Sequence, residues 1–130
     1  MQGKNYFTYD RALFGAAAAW NLIGAAVLLI QPESQLGRLG IADPRAIWLA
    51  RSLASSAMAW GIGYLLIALN PPRFRQFIWL GAISKTLFAL ISLWGFLAGG
   101  MDIGTPAIVD SILAVLFAER LVASRSMNRE

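Results

Sequence analysis

Long apolar runs broken by short polar connections set the pattern of this chain. The runs over residues 11–30, 44–69, 74–97 and 106–124 match the ~20 residues that an α-helix needs to cross a bilayer. Asp43-Pro44 and Thr105-Pro106 each place an N-cap acceptor before a proline at the first helical position, and Asn70-Pro71-Pro72 repeats the signal as a tight turn. The connection at residues 31–43 alternates polar residues with Leu36, Leu39 and Ile41, which predicts a short turn or helix lying along the interface. Residues 98–104, AGGMDIG, predict a flexible turn. The expected fold is all-α: one domain, an integral membrane four-helix transmembrane bundle.

Stepping 100° per residue assigns faces to these helices. In the first, Phe14, Ala17, Ala18, Gly24 and Ala25 fall within about 60° of Asn21, so one side is nearly bare of bulk. In lipid, small residues mark close helix contact, because backbones approach there. In the second, Arg51, Ser52, Ser55, Ser56, Ala59 and Gly63 share an arc of about 140°, the predicted packing face. In the third, Gly81, Ala82, Ala89 and Ser92 surround Lys85, while Leu80, Ile83, Leu87, Leu90, Ile91 and Trp94 take the far side, which predicts an inward lysine. In the fourth, Ala107, Ala114 and Ala118 lie near Asp110, and Glu119 falls opposite it. The two acids of that helix cannot serve one site.

A polar cluster of Asn21, Arg51, Ser55, Lys85 and Asp110 is therefore expected inside the membrane. A charge at the bilayer centre costs about 2.5–3.5 kcal/mol on insertion scales, so each ion needs a partner or water. Arg51 lies roughly 10 Å into its helix, at a depth similar to that of Asp110, and an arginine fork matches a carboxylate well. The pair expected first is Arg51 with Asp110. Lys85 lies deeper, near Asn21 and the serines, although its flexible stem could also reach Asp110. Two roles stay open for the cluster: holding helices together, or handling a substrate, ion or proton.

Composition narrows the chemistry. The chain has 130 residues, 58% of them hydrophobic and 14% charged, with a mean hydropathy of +0.59. That is too apolar for an ordinary soluble domain and leaves no room for a catalytic one beside four spans. Cysteine and histidine are both absent, which excludes disulfides, thiol redox chemistry and histidine-ligated haem and removes the usual zinc and copper ligands. No cofactor is expected. Ser55 and Ser56 lack a histidine base and no carboxylate pair is evident, which argues against an enzyme. The start resembles a signal peptide, but its apolar run is too long and Pro32-Glu33-Ser34 is a poor cleavage site, so a retained first span is expected.

Charge sets the orientation. Lys4, Arg11, Arg73, Arg75, Arg120, Arg125 and Arg129 fall on one side, against Arg38 and Arg45 on the other, which predicts cytoplasmic termini in a bacterial inner membrane. This topology accounts for the net charge of +4. The basic tail, Arg120, Arg125 and Arg129, is expected to meet anionic lipid headgroups, and no nucleic acid partner is expected. Glu119 and Arg120 suggest a solvated interfacial pair or a contact with another subunit. Tyr6, Tyr9, Tyr64 and Trp79 are expected as aromatic anchors at the cytoplasmic boundary, with Trp48 and Trp94 at the outer one.

WNLIGA at 20–25, GIGYLL at 61–66 followed by NPPRFR at 70–75, WLGAISK at 79–85 and the acid at Asp110 carry a resemblance to small bacterial four-span inner-membrane proteins, DoxX-like chains and their relatives. The resemblance implies fold and location more than activity. Small multidrug exporters are similar in size but rely on a glutamate in the first span, which residues 11–30 lack. Dual-topology fluoride channels are similar in length, but the charge bias here favours a single orientation. The expected function is association, as a homo-oligomer or as an accessory subunit of a membrane complex. The alternative is a secondary transporter or channel for a proton, ion or small solute, using Lys85 and Asp110.

Overall fold

The structure, a computed structural model, describes residues 2–100 and 104–126, with side chains described over 7–100 and 104–123. The expected roles of Met101 to Ile103 in a turn, of Lys4 and Tyr6, and of Arg125 and Arg129 in a basic tail lie outside the described residues or side chains. Helices α1 (Gln2–Ile30), α2 (Pro32–Arg38), α3 (Pro44–Leu69), α4 (Pro71–Phe74), α5 (Ile78–Gly99) and α6 (Gly104–Ser126) follow one another, with a 3-10 turn at Arg75–Phe77 between α4 and α5. No strand occurs among the described residues. Among the described residues, three segments are long and apolar enough to cross a membrane: Phe7–Ile30, Pro44–Leu69 and Pro71–Gly99. Helix α6 stands where a fourth span was expected, but it carries Asp110, Glu119 and Arg120 and falls short of the same standard.

The proline signals fix the boundaries with two departures. Asp43 Oδ1 accepts from the Arg45 N–H at 2.8 Å and opens α3, as a short acceptor before a proline should. Asn70 Oδ1 accepts from the Arg73 N–H at 3.4 Å, but the chain then makes α4 and the 3-10 turn before α5 begins at Ile78. Helix α6 starts at Gly104, so Thr105 lies inside its first turn and not at its cap. Gly100 ends α5 in the left-handed region at φ 61°, a conformation that suits a residue without Cβ.

The chain divides into two compact units, Met1–Arg73 and Phe74–Glu130. In the first, α1 and α3 pack antiparallel: Asn21 meets Ala57, Leu22 meets Gly61, and Phe14 meets Tyr64, so numbers fall along one helix as they rise along the other. Short α2 packs on both helices and buries Pro32. On α1 the buried residues include Leu13, Phe14, Ala17, Ala18 and Ala25, which is the small-residue face around Asn21, except that Gly24 is exposed.

The α3 face is a correction. Ser52, Ser55, Ser56 and Ala59 are exposed, and the residues buried are Ala50, Ala54, Gly61, Tyr64, Ile67 and Ala68. At 100° per residue these two sets lie on opposite sides of the helix. Helix α3 has small residues on both sides, and α1 takes the side with Gly61. A Cβ on Gly61 would stand 2.8 Å from Leu22 Cγ and Cδ2 and 3.2 Å from the Leu22 backbone nitrogen. The absent side chain is what lets the two backbones approach here. Tyr64 is 1% exposed, with its ring 6.3 Å from that of Phe14, so it is a packing residue of the unit and not an interfacial anchor.

In the second unit α5 packs on α6. Ile78, Gly81, Ala82 and Lys85 are buried on α5, and Ala107, Asp110, Leu113, Ala114 and Phe117 on α6, each set at three- and four-residue spacing. Ala118, expected near the Asp110 face, is exposed. Large apolar side chains are exposed on the helices, among them Leu49 at 72%, Trp94 at 71% and Leu97 at 72%, compatible with helices apolar enough to cross a membrane.

Candidate functional site

Within the second unit, Lys85 and Asp110 meet. Lys85 sits two turns into α5 on the stripe where Gly81 and Ala82 leave room for the neighbouring helix, and Asp110 faces it from α6. Lys85 Nζ donates to Asp110 Oδ1 at 2.5 Å, with the two side chains only 6% and 11% exposed. Each ion removes the other's need for water. Losing one partner of such a buried pair costs about 3–5 kcal/mol, because the survivor is left charged in a poorly polarisable place.

This is a second correction. The carboxylate's partner is Lys85 of its own hairpin, where the sequence favoured Arg51. The Arg51 guanidinium lies over the Trp48 ring, 5.6 Å from its centroid, in a cation–π contact one turn back along α3. Matching depths along ideal spans favoured the arginine. What decides the partner is that α5 and α6 are consecutive helices packed side by side, within the reach of a four-carbon stem.

In the first unit, Asn21 Nδ2 donates to the Ala57 carbonyl at 3.3 Å. That carbonyl is the normal helical acceptor for the Gly61 N–H, so the amide shares an acceptor beside the close contact of Gly61 with Leu22. Ser55 Oγ donates to the Arg51 carbonyl at 3.0 Å and Ser52 Oγ to the Trp48 carbonyl at 2.9 Å. Both hydroxyls thus turn back onto their own helix. Ser111 does the same on α6, donating to the Ala107 carbonyl at 2.7 Å. Of the five expected cluster residues, Lys85 and Asp110 touch directly, and Asn21, Arg51 and Ser55 have partners within the first unit.

Some residues were missed or misplaced by sequence reasoning. Gly61 lies in close contact with Leu22 of α1, and its signal was the spacing of Ala50, Ala54, Ala57, Gly61, Tyr64 and Ala68 in alternating steps of four and three. Asp10, which no pattern in the sequence singles out, is 6% exposed. Arg120 is 3% exposed, which overturns its expected places in a solvated pair and in the headgroup-facing tail, although Glu119 is exposed. A groove of about 450 Å³ lies between the start of α1 and the end of α3. Among the described residues no cluster of three or more His, Cys, Asp or Glu side chains could hold a metal ion. No family model matches this chain, and comparison with curated proteins and with solved structures yields no match.

Proposed function

We propose that this chain is a four-span protein of the bacterial inner membrane, with both termini cytoplasmic, that acts by helix association as a homo-oligomer or an accessory subunit. The observation that carries the proposal is the outward face of α3. Ser52, Ser56 and Ala59 are exposed, and a Cβ on Gly63 would meet nothing within 4 Å. The hydroxyl of Ser52 is already bonded to its own helix. These small residues form a stripe beside exposed Trp48 and Leu66, and a small-residue stripe is where another helix can pack closely in lipid. The pairing of Asp110 with Lys85 supports α6 as the fourth span, since it offsets much of the cost of carrying that carboxylate into oil. The likeness to DoxX-like chains rests on the sequence motifs alone.

Purified in mild detergent, the protein is expected to run as an oligomer or with a membrane partner, and Ser56→Leu with Gly63→Leu to release it as a folded monomer. A wild-type chain that is strictly monomeric and copurifies with nothing ends this reading. The buried ion pair favours a second reading, a transporter or channel for a proton, ion or small solute with Lys85 and Asp110 as its charged groups. Vesicles bearing the protein would then show a flux that Lys85→Met and Asp110→Asn each abolish, and the absence of any flux removes it.

A further inference from the structure

The groove at the end of the first unit combines three features that no part of the association reading uses. Its polar lining is Arg11, Thr8 and Asn70, and its apolar lining is Phe7, Leu69 and the prolines Pro71 and Pro72. No acid lines it. Arg11 is exposed and has no ion pair among the described residues, so its five donors face a groove whose described lining carries no countercharge. Asn70 spends Oδ1 on the Arg73 N–H, which leaves the amide nitrogen as the end that can donate to a ligand.

The place matters as much as the chemistry. Phe7 begins one membrane-length apolar segment and Leu69 ends another, so the groove lies at the level where a bilayer has its headgroups. Phe7 is 46% exposed and Leu69 65%, and both continue the apolar faces of their helices. We propose that this groove binds the phosphate of an anionic phospholipid, with the Arg11 fork on the phosphate oxygens, the Asn70 amide as a further donor, and an acyl chain along Phe7 and Leu69. A guanidinium matches phosphate in bidentate geometry, and its charge disfavours a choline headgroup. A free phosphate would use the cation and leave the apolar rim bare, which is why the lipid is the occupant. The inference rests on the membrane reading above and adds to it a specific ligand.

The test uses the full chain in mild detergent, with native mass spectrometry in the presence of phosphatidylglycerol, phosphatidylcholine or inorganic phosphate. The wild type is expected to retain one phosphatidylglycerol in preference to phosphatidylcholine. Arg11→Gln should lower that preference about fivefold, the effect of one basic residue beside an anionic lipid. Arg11→Lys should keep part of it, and Arg38→Gln, an exposed basic residue outside the groove, should keep all of it. An unchanged preference in Arg11→Gln, an equal fall in Arg38→Gln, or displacement of the lipid by millimolar inorganic phosphate overturns the site. Alkaline carbonate washing of membranes separates the two claims: wild-type protein released by the wash overturns the membrane reading itself, whereas retained protein without headgroup preference overturns only the groove.

Discussion

At the scale of single residues, the Lys85–Asp110 pair is held by mutual need. Lys85→Met leaves a buried carboxylate alone, and the second unit should lose about 3–5 kcal/mol of stability, read as denaturant or thermal unfolding in detergent. Lys85→Met combined with Asp110→Leu should return to within about 1 kcal/mol of the wild type, because two apolar side chains need no partner. Equal loss in the single and double variants would show that the pair is not what the site depends on. Gly61 makes the second residue-scale prediction. Gly61→Ala should cost about 1–3 kcal/mol, since its Cβ meets both the side chain and the backbone of Leu22, and Leu22→Ala should restore only part because the backbone nitrogen remains at 3.2 Å. Gly63→Ala, with open space at its Cβ, is the control that should leave folding unchanged.

Faces belong to the scale of the element, and there the sequence was legible where bulk was one-sided. On α5, Gly81 and Ala82 share a stripe with Lys85, while Leu87, Leu90, Ile91 and Trp94 stand opposite, and the first set is buried and the second exposed. On α1, Phe14, Ala17, Ala18 and Ala25 are buried around Asn21 for the same reason. Helix α3 offered two small faces, and hydroxyls drew attention to the wrong one. Serines look like interhelical donors, but Ser52 and Ser55 satisfy themselves within their own helix. The face that packs instead has Gly61 for backbone approach and Tyr64 against Phe14. Small residues tell where a neighbour can come close. Which of two such faces it takes depends on the connection through α2 and on what the neighbour presents.

At the scale of the whole molecule, topology is open to direct measurement, because the chain has no native cysteine to confuse labelling. Ser34→Cys, at an exposed position of α2, should react with an impermeant maleimide added to intact cells. Gln76→Cys, exposed in the 3-10 turn, should react only after the membrane is opened, and a reporter at the C terminus should behave as Gln76→Cys does. A C-terminal reporter on the Ser34 side would leave α6 on the surface and reduce the spans to three, the number set by length and apolarity alone.

The chain's preference for oil, its helices and most of their ends follow from local chemistry: apolar runs of membrane length, and short acceptors set before prolines. Proximity along one helix also fixed which way Lys85 turns. Pairing did not follow, since Asp110 had two cations at plausible depth and only the packing of α5 on α6 assigns it to Lys85. The same holds for Gly61 and for the groove at Arg11, which exist only where residues some forty to sixty positions apart are brought together. Periodicity along one helix assigns directions to its side chains; tertiary packing decides which neighbour lies in each direction.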